Sequence, residues 1–251
     1  MSEPKITVLD DAQSVYVHAA EEIAHFAGED ICTHAEFTIA LSGGSTPAAV
    51  YELLATRFKL SVDWKEVQFF WGDERCVPPD HELSNYAMAN RTLLSHLALR
   101  PEQVHRMRGE LAPEDAARAY EEELKGVFSL GDGEFPRFGL VLLGLGGNRH
   151  TLSLFPGDKA AIEECERMVV PVDVDATPRK RISFTPSVAN HAQRAMFIAT
   201  GKEKAEAVRD VIEGPRDPMK FPAQIIQPSD GELIWLLDKD AASLLSGRGS
   251  T

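Results

Sequence analysis

Short apolar segments alternate with longer amphipathic ones along this chain, and the alternation restricts the folds that it can adopt. The apolar segments are rich in β-branched or aromatic residues, which predicts buried β-strands. They are FTIAL (37–41), VQFFW (67–71), FGLVLLG (138–144), MVVPV (168–172) and AMFIAT (195–200). The amphipathic segments carry helix-capping residues and predict helices. They span residues 11–27, 46–57, 84–97, 113–127 and 202–212.

Strands that alternate with helices are joined by crossovers and therefore lie parallel. We predict an α/β fold with an open, mostly parallel, doubly wound sheet and helices on both faces. Residues 1–251 are expected to form one domain, in which the proline-rich segment 214–222 is a loop and not a boundary. Ligands of such sheets bind outside the carboxyl ends of the strands.

Charge and composition exclude several classes of function. The formal net charge of −13 disfavours nucleic-acid and membrane-surface binding, because phosphate backbones and anionic lipids repel such a surface. No signal-peptide pattern precedes the first helix, and no apolar run approaches the ~18 residues of a membrane span. The three cysteines have neither paired nor metal-type spacing, which predicts free thiols in a reducing compartment. We therefore expect a cytoplasmic protein.

The first candidate site is LSGGSTP, residues 41–47, directly after a predicted strand. Gly43, Gly44 and Ser45 form a turn that leads into the next helix, which Thr46 and Pro47 can start. Backbone N–H groups in such a turn and the positive end of the helix suit a phosphate group. A plain strand-to-helix turn would look the same, so this motif alone is only moderately specific.

The second candidate site is WGDER, residues 71–75, where charged residues follow a buried strand. Neutral turn residues would serve packing better at this position. Arg75 can hold a phosphate or stabilise an oxyanion, and Asp73 lies two residues before it. The alternative is an exposed salt bridge. Ser84, further along, is more simply a helix cap.

The third candidate site is LGLGGNRHTLSLFPG, residues 143–157, in which a strand breaks into glycines. His150 titrates near neutral pH and could act as a general base on water. The alternative is a histidine that is merely hydrogen-bonded in a turn.

Two further segments supply cations for an anionic ligand. Arg181 lies in PRKRISF, and Lys204 lies at a predicted helix start, where a cation opposes the helix dipole. The sequence contains neither a metal-ligand cluster nor a nucleophile elbow.

The order of motifs along nearly the whole chain resembles the glucosamine-6-phosphate isomerase/6-phosphogluconolactonase family, and its lactonases more than its deaminases. The motifs are LSGGSTP, WGDER with VPPD and SNY, HTLSLFPG, RISFTPSVAN, TGKEKAEAV and PSDGELIWLLD. The resemblance implies the NagB/RpiA-like fold and hydrolysis of 6-phospho-D-glucono-1,5-lactone in the oxidative pentose phosphate pathway. It implies no cofactor and no metal. A phosphorylated sugar lactone is the expected partner, and we expect a monomer because no large apolar face stands out.

The resemblance also implies roles for individual residues. His150 would activate water, Arg75 would stabilise the developing negative charge, and Asp73 would orient neighbouring groups. The substrate phosphate would lie on a set of glycines, a serine and two cations: Gly43, Gly44, Ser45, Arg181 and Lys204. Residues around the histidine form a possible supporting layer: Asn148, Arg149 and Thr151.

One departure from the family falls beside the histidine, where Asn148 and Arg149 replace the usual aspartate and glycine. Asparagine can orient the imidazole but supplies no charge. Arg149 either adapts to a backbone that favours glycine or points into the pocket as an extra hydrogen-bond donor to an anion. Two alternatives to a lactonase therefore stay open. One is a sugar-phosphate-binding protein with weak or lost catalysis. The other is a deaminase-like isomerase in which Asp73 moves a proton.

Overall fold

Strands and helices alternate along residues 3–246, the part of the chain that the computed structural model describes. The strands are β1 (Lys5–Leu9), β2 (Phe37–Leu41), β3 (Val67–Trp71), β4 (Asp73–Arg75), β5 (Leu140–Leu143), β6 (Val169–Asp173), β7 (Lys180–Phe184), β8 (Arg194–Ala199) and β9 (Glu232–Asp238). The α-helices are α1 (Ala12–His34), α2 (Ser45–Thr56), α3 (Asn85–Thr92), α4 (Pro113–Phe128), α5 (Lys159–Ile162), α6 (Pro186–His191) and α7 (Ala205–Ile212). Short 3₁₀ segments cover Trp64–Glu66, Leu94–His96, Pro101–Gln103, Lys202–Lys204 and Pro222–Ile225.

The main sheet has six strands in the order β1-β9-β8-β5-β2-β3, and every neighbouring pair is parallel. The predicted α/β fold with an open, mostly parallel sheet is confirmed. Sequence reasoning missed β1 and β9. Strand β1 lies at the sheet edge and is only partly buried, which weakens its hydrophobic signal. The apolar part of β9, in contrast, is as clear as that of the predicted strands.

A second, three-stranded sheet, β4-β7-β6, is antiparallel. The prediction that residues 168–172 form a strand is correct, but its expected place in the parallel sheet is wrong. Only residues 174–179 separate β6 from β7, and a parallel pair needs a crossover of roughly a dozen residues. Strands joined by so short a segment can pair only as a hairpin.

The predicted helices are all present, although three differ in length. Residues 202–204 of the predicted segment 202–212 form a 3₁₀ turn before α7. Helix α1 continues past the expected end at residue 27 and stops at Ala35, which has φ +67°. The segment 84–97 divides into α3 and a 3₁₀ turn, and Ser84 caps α3 as predicted by accepting a bond from the N–H of Ala87 (3.0 Å). Residues 214–222 lie outside any strand or α-helix, as expected of a loop, and Pro222 begins a 3₁₀ segment.

Helices α1 and α2 pack against each other and against strands of the main sheet, whereas α4 packs against β6 and β7 of the small sheet. The two sheets meet through buried aromatic rings. Phe184 of β7 contacts Phe138, which precedes β5, and Tyr120 of α4. Within residues 3–246, no helix combines the length and apolarity needed to cross a bilayer.

Candidate active site

The carboxyl ends of the central strands face one crevice. The chain leaves β2 toward β3 and leaves β5 toward β8, so the two neighbouring strands β2 and β5 send it in opposite directions. Such a switch point opens a crevice outside the strand ends, where ligands of α/β sheets bind. The segments that follow β2, β3 and β5 are the three candidate sites of the sequence.

Two adjoining cavities occupy this crevice. The smaller has a volume of about 220 Å³ and is lined by Ser42, Gly43, Gly44, Asp73, Arg75, Asn85, Gly144, Leu145, Gly146, His150, Leu152, Arg181 and Lys204. The larger, of about 630 Å³, extends toward the ends of β8 and β9. The two share Gly43, Gly44, Gly144, Leu145 and Lys204. Ser45, predicted to lie with these residues, lines the larger cavity only.

The glycine turn after β2 exposes the start of α2 to both cavities. Gly44 has φ +110° and precedes the helix without a side-chain cap, so the first N–H groups of α2 are available to an anion. Gly43 has no room for a side chain, because a Cβ there would lie 2.0 Å from Oδ1 of Asn85. Sequence reasoning did not identify Asn85, which lies in the SNY segment.

Three cations converge on the smaller cavity. Arg75 donates from Nη1 to the carbonyl of Leu83 (2.7 Å), and Nζ of Lys204 donates to the carbonyl of Leu145 (2.8 Å). The Nε atoms of Arg75 and Arg181 are buried without a hydrogen-bond partner in residues 3–246. Burial, and then the charge of Arg75, lower the pKa of Arg181. Buried like charges with unused donors are costly, and an anionic ligand would offset that cost.

His150 is held in one orientation by its neighbours. Its Nδ1 makes a short hydrogen bond with Oδ1 of Asn148, and its backbone N–H donates to the same oxygen (3.3 Å). The ring stacks on Phe155, with centroids 4.3 Å apart, and a Cβ at Gly146 would lie 2.0 Å from Nδ1. An amide oxygen only accepts, so Nδ1 carries the proton and Nε2 is left as a base.

The environment of His150 keeps its imidazole neutral. Burial, followed by the charges of Arg181, Lys204 and Arg75, lowers its pKa from 6.5 to about 4. At pH 7 the ring is therefore unprotonated and able to accept a proton, although the low pKa also makes it a weak base.

Asp73 and Glu74 are buried and bonded, not free at the rim. The carboxylate of Asp73 accepts from Oγ of Ser153 (2.7 Å) and from Nδ2 of Asn85 (3.3 Å). Glu74 accepts from the backbone N–H groups of residues 75, 85 and 86 and from the hydroxyl of Ser84. Burial raises the pKa of Glu74, and these bonds oppose the rise. Glu74 thus anchors the start of α3, and Asp73 lines the cavity.

Two predicted supporting residues do not reach the cavity. Of the two alternatives for Arg149, the structure shows the first: the residue adopts φ +70°, in the region that favours glycine, and does not line either cavity. Its guanidinium turns to Asp210 of α7, because that carboxylate offers a partly buried partner. Thr151 is buried, and its hydroxyl has no partner within the described residues. No group of three His, Cys, Asp or Glu side chains in residues 3–246 is placed to hold a metal ion.

Comparison with known proteins agrees with these motifs. Residues 10–235 match the sequence model of the family described as glucosamine-6-phosphate isomerases/6-phosphogluconolactonase. The chain is 37% identical to 6-phosphogluconolactonase of Synechocystis, over 96% of this chain and 98% of the relative. It superposes on 6-phosphogluconolactonase from Trypanosoma cruzi with a TM-score of 0.86 and 31% identity, covering 98% of each chain. A monomeric glucosamine-6-phosphate deaminase gives a TM-score of 0.79 at 22% identity, over 96% of this chain and all of that one, which shows a common fold.

Proposed function

The chain belongs to the glucosamine-6-phosphate isomerase/6-phosphogluconolactonase family, and on that premise we propose that it is a carboxylic ester hydrolase, a 6-phosphogluconolactonase. Its reaction is the hydrolysis of 6-phospho-D-glucono-1,5-lactone to 6-phospho-D-gluconate, a step of the oxidative pentose phosphate pathway. The observation that carries the proposal is the neutral imidazole of His150 among three cations at the switch-point crevice. A base and an anion site side by side are what hydrolysis of a phosphorylated ester requires.

In the proposed mechanism, His150 acts as a general base. Its Nε2 takes a proton from water while the water oxygen bonds to the lactone carbonyl carbon. The carbonyl oxygen becomes an oxyanion, and Arg75 stabilises it. The bond between that carbon and the ring oxygen then breaks, and the imidazolium returns its proton to the ring oxygen. The carboxylic acid product ionises in solvent, and no covalent enzyme intermediate is needed.

The substrate phosphate is proposed to bind at the start of α2. Gly43, Gly44 and Ser45 offer backbone N–H groups there, and Lys204 lines both cavities beside them. Arg181 supplies a second cation from the smaller cavity. Anchoring the phosphate in this way would hold the lactone carbonyl near His150.

Asp73 supports hydrolysis better than isomerisation. An isomerase base must reach a substrate carbon, yet both carboxylate oxygens of Asp73 are hydrogen-bonded and the residue is 7% exposed. We therefore assign Asp73 an orienting role toward Ser153 and Asn85. The Asn148 contact to His150 favours a working enzyme over a binding protein, because it fixes the tautomer that a base needs.

The test is hydrolysis of freshly generated 6-phosphogluconolactone by the wild-type protein and by Asn148→Asp, against the spontaneous rate at the same pH. We expect the wild type to exceed the background clearly and the variant to differ from it by less than about tenfold, because the amide already orients the ring. Wild-type hydrolysis at background, with calorimetric binding of 6-phosphogluconate, would instead identify a binding protein. Turnover of glucosamine 6-phosphate, followed by NMR, would identify an isomerase.

A further inference from the structure

Arg149 occupies a backbone conformation that most side chains avoid, directly before His150. Its φ of +70° lies in the left-handed region, where glycine is favoured. A long charged residue stays in that region only when contacts elsewhere hold it there. The neighbouring elements supply those contacts.

The guanidinium of Arg149 binds α7. Its Nε and Nη2 donate to Oδ2 of Asp210 at 2.9 and 2.5 Å, and Glu206 lies 3.7 Å from Nη2. The side chains of Arg149 and Asp210 are only 23% and 17% exposed. A pair held by two bonds and largely shielded from water is stronger than an exposed surface pair.

The same guanidinium also closes the turn itself. Its Nη1 donates to the carbonyl of Gly147 (2.9 Å), while the backbone N–H of Arg149 donates to the carbonyl of Gly146 (2.8 Å). On the other side, the N–H of Ala223 donates to the carbonyl of Arg149 (3.0 Å). Residues 146–150 are thus fixed between α7 and the segment near residue 223.

We propose that Arg149 is a positioning residue, which through Asp210 holds the turn 146–150 so that Asn148 keeps the imidazole of His150 aimed into the crevice. This inference rests on the proposed function, because it assigns Arg149 a part in placing the general base. Arg149 touches neither cavity, so its effect passes entirely through the turn.

Helix α7 is well placed for this role because it directly follows Lys204, a cation of the proposed phosphate site. Lys204 precedes α7 and donates to the carbonyl of Leu145, at the other end of the turn. The turn is therefore bound at both of its ends to one element, and the distance between Lys204 and His150 is set by that element. Without the Arg149 contact, only the Lys204 end would remain attached to it.

The test compares five variants of the full chain, each checked for folding by thermal unfolding. Arg149→Met removes the contact, Asp210→Asn weakens it by removing the carboxylate charge, and Arg149→Gly removes it while relieving the backbone. We expect all three to lower kcat by roughly 10- to 100-fold with KM changed less than about threefold. Arg209→Met is the matched control, since Arg209 binds the other oxygen of Asp210 from the surface and should leave kcat unchanged. Arg149→Lys should recover part of the loss.

A second readout does not depend on turnover. NMR titration of the His150 ring, assigned with His150→Gln, reports the surroundings of the imidazole, where Arg75, Arg181, Lys204 and Asp73 line the same cavity. In Arg149→Met and Asp210→Asn we expect the pKa of His150 to rise from about 4 toward its ordinary value, because a released ring gains contact with water.

The outcomes separate this inference from the proposed function. The positioning role would be overturned if Arg149→Gly had the same kcat as wild type. It would also be overturned if the His150 titration were unchanged in both Arg149→Met and Asp210→Asn. A wild-type protein without lactonase activity, but with a His150 titration that moves in these variants, would overturn the proposed function and leave the positioning role standing.

Discussion

Burial, and then the surrounding cations, determine how the charge of His150 responds to pH. Arg181, Lys204 and Arg75 all disfavour the imidazolium, and Asn148 offers it no compensating charge. A bound phosphate would partly neutralise these cations and make the base stronger when substrate is present.

The low pKa of His150 predicts a pH-dependent cost to stability. The unfolded chain takes up a proton near pH 6.5 and the folded chain only near pH 4, so folding loses free energy as the pH falls through that window. Above pH 6.5, the contribution of His150 to the free energy of unfolding no longer changes with pH. The measurement is urea unfolding of wild type and His150→Gln at pH 7 and at pH 4.5. Between pH 7 and pH 4.5, the free energy of unfolding of the variant should rise relative to that of wild type by up to about 2 kcal/mol.

His34→Gln is the control for this measurement, because His34 is exposed at the end of α1. Its difference from wild type should stay nearly constant between the two pH values. If the His150→Gln difference is constant as well, the imidazole is not held neutral by its surroundings.

Among the elements, the turn into α2 depends on a close approach of α3. The amide of Asn85 lies where a Cβ of residue 43 would be, and it cannot easily retreat. Its Nδ2 donates to the backbone carbonyl of Asp73 (2.8 Å), and its N–H donates to Glu74 (2.7 Å). The glycine at position 43 is thus required by packing, and the proposed phosphate site would require it as well.

We therefore expect Gly43→Ala to weaken binding of 6-phosphogluconate by about tenfold or more, and to destabilise the fold by about 1–3 kcal/mol. Isothermal titration calorimetry and urea unfolding measure the two effects. Gly28→Ala is a matched control in α1, where an added Cβ meets no atom within 4 Å. That change should stabilise the protein by roughly 0.5–1 kcal/mol and leave binding intact. If Gly43→Ala and Gly28→Ala had the same affinity for 6-phosphogluconate and the same free energy of unfolding, the packing argument would be contradicted.

The sequence predicts most elements of the parallel sheet because their signals are local. Capping residues and apolar runs mark the five longest helices and four of the six strands of the main sheet without reference to the rest of the chain. The short helices α5 and α6 carry too few residues for such a signal. Pairing is different: nothing within residues 168–172 says that they join an antiparallel hairpin and leave the main sheet. The candidate site shows the same limit. His150, Arg75 and the glycine turn follow from their strand ends, whereas the direction of Arg149 depends on Asp210, which is distant in sequence.

Across the whole molecule, a strongly acidic chain gathers three cations at the smaller cavity of its crevice. The larger cavity is lined by Lys204 and by five carboxylates, Asp10, Asp11, Glu203, Asp238 and Asp240. The net charge is −13, yet no carboxylate in residues 3–246 forms a salt bridge with Arg75, Arg181 or Lys204. Such a surface repels polyanions in general, while the crevice attracts a small anion that fits inside it. This charge distribution supports the proposed selection of a small phosphorylated ligand over polyanions.

Ligand binding should accordingly stabilise the folded chain. At 100 times its dissociation constant, 6-phosphogluconate is expected to add about 2.7 kcal/mol to the free energy of unfolding. Thermal unfolding with 6-phosphogluconate, and with gluconate at the same concentration, measures the share that depends on the phosphate. We expect little shift with gluconate, and little with either ligand in Arg181→Met. An equal shift with both ligands would count against a phosphate site.

The position of β9 also constrains how the chain can fold during synthesis. Strand β1 hydrogen-bonds only to β9 within its sheet, and β9 lies between β1 and β8. Residues 5–9 leave the ribosome early and must wait until residues 232–238 emerge before they can pair. A nascent chain therefore carries an unpaired β1 for nearly the whole of translation, and an unpaired edge of β8 from the synthesis of residue 199 until β9 emerges. Unpaired strand edges are where non-native association begins. Holdase chaperones that bind extended apolar segments would have most to protect in this interval.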